Sequence, residues 1–161
     1  MVELDKLQIK RITTEDKERY EQTLELRDIV LRRPLGRSIQ QDRLDGEDQA
    51  IHLCALYADK VVGVLLLKHV DDQTVQMKQV AVDEALRGQQ VGRRLVQYAE
   101  QVAVNEGYGY MMLHARQVAI PFYEKLAYES YGESFTEVGI PHRAMRKRLV
   151  DREVTEGGTE G

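Results

Sequence analysis

A single cysteine, Cys54, occurs among 161 residues. That excludes an intramolecular disulfide and suits a reducing compartment. The residue lies within the apolar "AIHLCALYA", so a buried structural thiol is expected. No apolar run is long enough to span a bilayer: Val61 to Leu67 is the longest, and Gly63 interrupts it. The opening "MVELDKLQIK" lacks an apolar core and a small-residue cleavage site, so no secretory signal is expected and the cytoplasm is the default location. Positive charge is not in excess either. A formal net charge of −4 argues against a broad nucleic-acid surface. His52, His69, His114 and His142 are scattered without paired ligand spacing, so no metal site is expected. No segment repeats.

With 42% hydrophobic and 31% charged residues, the chain has the make-up of a globular protein. Its length suits one domain, expected over residues 1–150. The acidic, glycine-rich "DREVTEGGTEG" that follows reads as a disordered tail over 151–161. "LQIKRI" alternates like a half-buried strand, and "TTEDKERYEQTLELRDIVLRR" reads as a helix capped by Thr13 or Thr14 and stopped by Pro34. Residues 35–49 are a loop or a short second helix, and their mixed charges are expected to be solvated. Three strands follow to Val82, with turns at Ala58–Lys60 and Asp71–Gln73. Val91, Leu95, Tyr98, Ala99, Val102 and Ala103 then mark one face of a helix ending before Gly107. "YMMLHA" is a short strand. Pro121 is tolerated only in the first turn of the next helix, which places that start near Arg116 to Val118. Strands near 128–133 and 142–149 complete an order βα(α)βββαβαββ. This is an α/β chain of the α+β type around a largely antiparallel sheet.

Between the strand "MKQVAV" and the second helix stands "RGQQVGRRL", with Arg87, Arg93 and Arg94 crowded about Gly88 and Gly92. Exposed N–H groups of a first helical turn and the helix dipole make an anion site, and the arginines add charge to it. A phosphate or pyrophosphate is the ligand this chemistry suits. No "GK[ST]" follows, so it is not a Walker loop, and the glycine spacing is not that of a dinucleotide fingerprint.

"VAVDEALRGQQVGRRLVQYAE" resembles the acyl-CoA-binding motif of the GNAT N-acetyltransferase superfamily, R/Q-x-x-G-x-G/A. Arg87 falls on its first position and Gly92 on its last glycine, while its middle glycine is Gln90 here. "LHARQVAIPFYEKLAYES" resembles the superfamily's second motif. Its frequent asparagine is Arg116 here, and its usual glycine before the aromatic is Ala127. "FTEVGIPHRAMRKRL" is similar to the ElaA-like branch, with its G-I-P-H-x-x-M segment. The matches run from Val80 to Leu149.

The resemblance implies the GNAT acyl-CoA N-acyltransferase fold, with six to seven strands and about four helices. It implies acetyl transfer from acetyl-CoA to a primary amine of a small molecule or peptide, without a metal. Main-chain groups of Val80, Ala81 and Val82 would hold the pantetheine as an added strand. The turn from Arg87 and Gly88 through Gln89, Gln90, Val91, Gly92 and Arg93 would hold the pyrophosphate. Gln90, not being glycine, is expected to avoid positive φ. Arg116, Phe122 and Tyr123 carry over from the second motif, with Tyr123 as the general acid for the departing thiolate. An ammonium acceptor must lose a proton before attack; His114 and His142 are candidate bases, and Glu133 or Glu137 acting through water remain alternatives. Superfamily members often pair through their C-terminal strands, which extends the resemblance to a homodimer. A non-catalytic acyl-CoA-binding sensor or partner module is the second reading, kept open by Gln90 and Arg116.

Overall fold

The computed structural model describes residues 3–149. Among them are seven strands, β1 (Gln8–Ile12), β2 (Ile51–Tyr57), β3 (Lys60–His69), β4 (Thr74–Val82), β5 (Tyr110–Arg116), β6 (Glu129–Glu137) and β7 (Ile140–Arg148). Their order is β1-β2-β3-β4-β5-β7-β6. The β1–β2, β2–β3, β5–β7 and β6–β7 pairs are antiparallel. Three α-helices accompany them, α1 (Lys17–Arg27), α2 (Val91–Asn105) and α3 (Ile120–Lys125), with single 3₁₀ turns in place of the expected fourth helix. None of the described helices is long and apolar enough to cross a membrane. The described residues divide into two compact units, 3–68 with 77–99, and 69–76 with 100–149.

In the first unit β3 buries seven consecutive residues, Val61 to Leu67, because both of its faces are covered. On one side Leu26 of α1 packs with Cys54, Leu56, Val61, Val64 and Ala81. On the other, α2 comes so close that a Cβ on Gly63 would lie 3.3 Å from both Ala55 and Leu95. Cys54 is fully buried, and that burial pushes its thiol pKa up. Neither Thr13 nor Thr14 caps α1. The N-cap is Asp16, because the Thr13 carbonyl closes a turn by accepting the Asp16 N–H at 3.1 Å. Pro34 is not the stop either: the helix widens into a π turn over Asp28–Arg32, then tightens into a 3₁₀ turn over Arg33–Leu35. Proline fits the start of that turn, where its missing N–H costs nothing, and Gly36 ends it at φ 72°.

The segment after Gly36 is bound to this helix rather than solvated. Arg27, 1% exposed, gives both terminal nitrogens to Glu47 at 2.9 and 2.7 Å. Tyr20 donates to the same carboxylate at 2.6 Å, and His52 Nε2 bonds the Glu47 carbonyl at 2.6 Å. Arg32 grips Asp42, and the Asp28 carboxylate accepts from the Ile39 N–H and Arg33 Nε, both at 2.7 Å. Only Arg37, Arg43, Asp45 and Asp48 of the expected solvated charges remain exposed and outside this network.

In the second unit Met111, Leu113 and Ala115 of β5 and Met145 of β7 are buried. Glu100 accepts from the Tyr128 hydroxyl at 2.7 Å and from Lys147 at 3.0 Å. Two helices end here by the same device. At the close of α2 the Gly107 N–H bonds the Val104 carbonyl and the Tyr108 N–H that of Ala103; α3 closes identically with Ala127 to Glu124 and Tyr128 to Tyr123. This motif needs a left-handed residue. Gly107 supplies it at φ 97°, whereas Ala127 does so at φ 74°. A 3₁₀ turn over Gln117–Ala119 begins where the third helix was expected, and Pro121 falls within the first turn of α3. Both final strands differ from their expected bounds. They extend to a two-residue turn in which Val138 and Gly139 have φ 47° and 77°, the paired positive values of a tight hairpin. Tyr98, expected to be buried on α2, is 40% exposed, and Val96 is buried instead. The expected tail over 151–161 lies outside the described residues.

Candidate active site

β4 leads directly into a structured turn. The Asp83 N–H bonds the Val62 carbonyl at 2.8 Å, and its carboxylate caps a 3₁₀ turn over Glu84–Leu86 by accepting from Ala85. Arg87 to Gln90 then reach α2. The first bond of that helix runs from the Arg94 N–H to the Gln90 carbonyl at 3.0 Å. The N–H groups of Val91, Gly92 and Arg93 therefore precede any intrahelical acceptor and open at the positive end of the dipole. Arg87, Arg93 and Arg94 are exposed, and among the described residues none is paired with a carboxylate. Exposed cations close in sequence to open donors, with no ion pair among the described residues, suit a diphosphate group.

Gln90 corrects the sequence expectation. It takes φ 73°, beside Gly88 at φ 80°. The turn from 3₁₀ segment to helix needs a left-handed residue there, and the tertiary demand overrides the preference of the side chain. Ala127 shows the same outcome at the second position where this chain lacks the motif's glycine. Gln79, immediately before Val80, is also left-handed at φ 57°, and its buried Oε1 has no hydrogen-bond partner. Val80 and Val82 are half-buried and Ala81 is buried. The structure thus brings Val80 to Val82 and Arg87 to Arg93 onto one continuous strand–turn–helix.

In the second unit Tyr123 is 6% exposed and Phe122 36%. Their rings meet edge to face at 5.0 Å, and Tyr128 lies 5.8 Å on from Tyr123. Burial pushes the Tyr123 phenol well above its ordinary pKa, so it keeps its proton throughout the physiological range. The ring neighbours of Tyr123 are these aromatics and not His114 or His142.

The two histidines do come together. His114 of β5 bonds the Glu137 carboxylate through Nδ1 at 2.9 Å. His142 of β7 is buried and bonds the Ile140 carbonyl through Nδ1, also at 2.9 Å. Phe135 separates them, edge-on to His114 at 5.0 Å and stacked on His142 at 5.9 Å. Arg116 is the cross-strand partner of His142. Phe135 was not singled out by sequence, and Glu133 is exposed with no role in the cluster. The "VG" between Glu137 and Ile140 was the available signal: a two-residue hairpin turn sets Phe135 opposite His142.

The profile of the Acetyltransferase (GNAT) family matches residues 9–128. A Bacillus subtilis protein named as a candidate acetyltransferase is 28% identical over 147 residues, covering 88% of this chain and 97% of that one. Escherichia coli ElaA shares the fold at a TM-score of 0.76 and 23% identity, covering 88% of this chain and 99% of its own. An aminoglycoside 6′-N-acetyltransferase solved with coenzyme A superimposes at 0.71 and 18% identity, covering 90% and 98%.

Proposed function

The chain belongs to the GNAT acetyltransferase family, and from that premise we propose that it transfers the acetyl group of acetyl-CoA directly to a primary amine of a small molecule or peptide. The observation that carries the reading is the turn before α2. Three exposed arginines, without acidic partners among the described residues, flank open N–H groups at a helix start in sequence. That arrangement suits the pyrophosphate of acetyl-CoA.

In this reading main-chain groups of Val80 to Val82 hold the pantetheine in the manner of an added strand, and a backbone N–H there polarises the thioester carbonyl as it gains negative charge. Gln89 to Arg93 hold the pyrophosphate, assisted by Arg87. Arg116 and Phe122 flank the cosubstrate. Tyr123 gives its proton to the departing thiolate, and a buried phenol that never ionises on its own suits that task. His114 and His142 are the candidate bases.

Acetyl-CoA should raise the melting temperature, because a ligand that binds only the folded state stabilises it. Arg93→Glu should weaken that shift by setting negative charge against phosphate. Tyr123→Phe should lower kcat by roughly 10²–10⁴-fold while leaving the shift intact, since the lost proton transfer belongs to the transition state. A melting curve indifferent to millimolar acetyl-CoA would sink the reading. A thermal shift without release of CoA thiol to any amine would instead mark a non-catalytic acyl-CoA-binding module.

A further inference from the structure

We propose that His114 is the general base that deprotonates the amine, with Glu137 as its positioning residue; this assignment rests on the acetyl-transfer reading above. A carboxylate can only accept, so the 2.9 Å contact fixes the hydrogen on Nδ1 and leaves the Nε2 lone pair for a substrate proton. The edge contact with Phe135 at 5.0 Å holds the ring plane. His142 has the same tautomer, because the Ile140 carbonyl likewise only accepts. Its surroundings differ in charge. Behind His114 stands an anion that balances the imidazolium formed when the proton arrives. Behind His142 stands a neutral carbonyl, and across the strand from it is the cation Arg116. The pair on β5 and β6 can therefore hold a captured proton, whereas among the described residues no carboxylate bonds the buried ring on β7.

Strand alternation and register put these groups on one face of β5, β7 and β6. The other charged or titratable side chains there are Arg116, Tyr110, Arg146, Arg148 and Glu129, with the Tyr131 phenol under Arg146 at 4.6 Å. The proton balance closes. One proton of R–NH₃⁺ passes to Nε2 of His114, and the freed lone pair forms the C–N bond as the C–S bond breaks. The sulfur takes the Tyr123 proton, and the second proton lost by the nitrogen restores the phenol. One proton leaves through His114 in each turnover.

The test follows release of CoA thiol from acetyl-CoA across pH, with the fastest member of a panel of small primary amines as acceptor. His114→Gln should lose roughly 10²–10⁴-fold in kcat/KM and should also lose the fall in rate on the acid side of the profile. His114→Ala should be partly rescued by added imidazole. Glu137→Ala should lower kcat by less, with an unchanged KM for acetyl-CoA, and Glu137→Asp should recover part of the loss. His142→Gln should keep the acid limb. Each variant is also melted with acetyl-CoA: lost turnover with a retained thermal shift identifies a proton-transfer defect rather than a damaged cosubstrate site. Full activity of His114→Gln, or an acid limb abolished by His142→Gln and retained by His114→Gln, would overturn the assignment. Joint loss of turnover and thermal shift in His114→Gln would overturn it too.

Discussion

Replacing Gln90 by glycine should make this protein more stable. The residue holds φ 73° at the entrance to α2, and its side chain is exposed. A left-handed backbone costs a residue with a Cβ about 1–2 kcal/mol. Glycine removes that cost but returns about 0.4–1 kcal/mol through the greater freedom it gives the unfolded chain. The net gain is about 0.5–1 kcal/mol, since no packing is lost and the bond from Arg94 goes to the main-chain carbonyl. In a domain of this size that raises the melting temperature by roughly 1–4 °C. The assay is thermal and urea unfolding of a graded series. Gln90→Ala should gain nothing, because it removes the side chain and keeps the backbone demand. Gln90→Asn should gain part, asparagine tolerating the left-handed region better, and Gln90→Val should lose stability. If glycine proved no more stable than alanine here, backbone strain would not be the reason.

Ala127→Gly should show the same sign, because α3 closes with the motif that α2 closes with Gly107; an unfolding midpoint unchanged from the parent would contradict it. Acid should weaken the protein through Glu47. Burial pushes this carboxyl up, but the bonds from Arg27 and Tyr20 pull harder, and its pKa ends below the ordinary value. A depressed carboxyl contributes stability that is present above the unfolded-state pKa of about 4.3 and is lost as pH falls through the folded one. Urea midpoints measured from pH 6 to 3 should fall less steeply in Glu47→Gln than in the parent. Cys54 should resist thiol reagents in the native state and react fully on unfolding, given its burial and raised pKa.

Local pattern made most elements legible, and long-range demand hid the rest. On α2 the residues Val91, Leu95, Ala99 and Ala103 are buried as their spacing implies. Tyr98 tips outward because an amphipathic face marks a broad stripe and not its edge. The full length of β6 is hard to read because "ESYGESFTE" carries Glu129, Glu133 and Glu137. A strand at the end of the sheet order needs few apolar residues, so its alternation is faint. A β-branched residue such as Val138 at positive φ opposes ordinary turn chemistry, so Gly139 alone marks this turn in the sequence. The motif positions of the candidate site were readable from residue types, whereas the conformations of Gln90 and Ala127 were not. Local preference there opposes the backbone that the surrounding elements impose. The Arg27–Glu47 and His114–Glu137 pairs join residues 20 and 23 positions apart, and no local window registers such a pairing.

The charge contacts between α1 and the segment after Gly36 also set how this stretch can diverge. Arg27 is sealed and Glu47 nearly so. Losing either partner alone strands a charge, at a cost of about 3–5 kcal/mol for a fully buried pair, while exchanging both for well-packed apolar groups can be close to neutral. Single substitutions at Glu47 therefore lie in a trough that double substitutions step across. Asp42 is tied to Arg32 in the same manner. Arg37, Arg43, Asp45 and Asp48 carry no such tether and can change one at a time. In a deep library of this segment, the surviving variants should scatter freely at those four positions and covary between 27 and 47 and between 32 and 42.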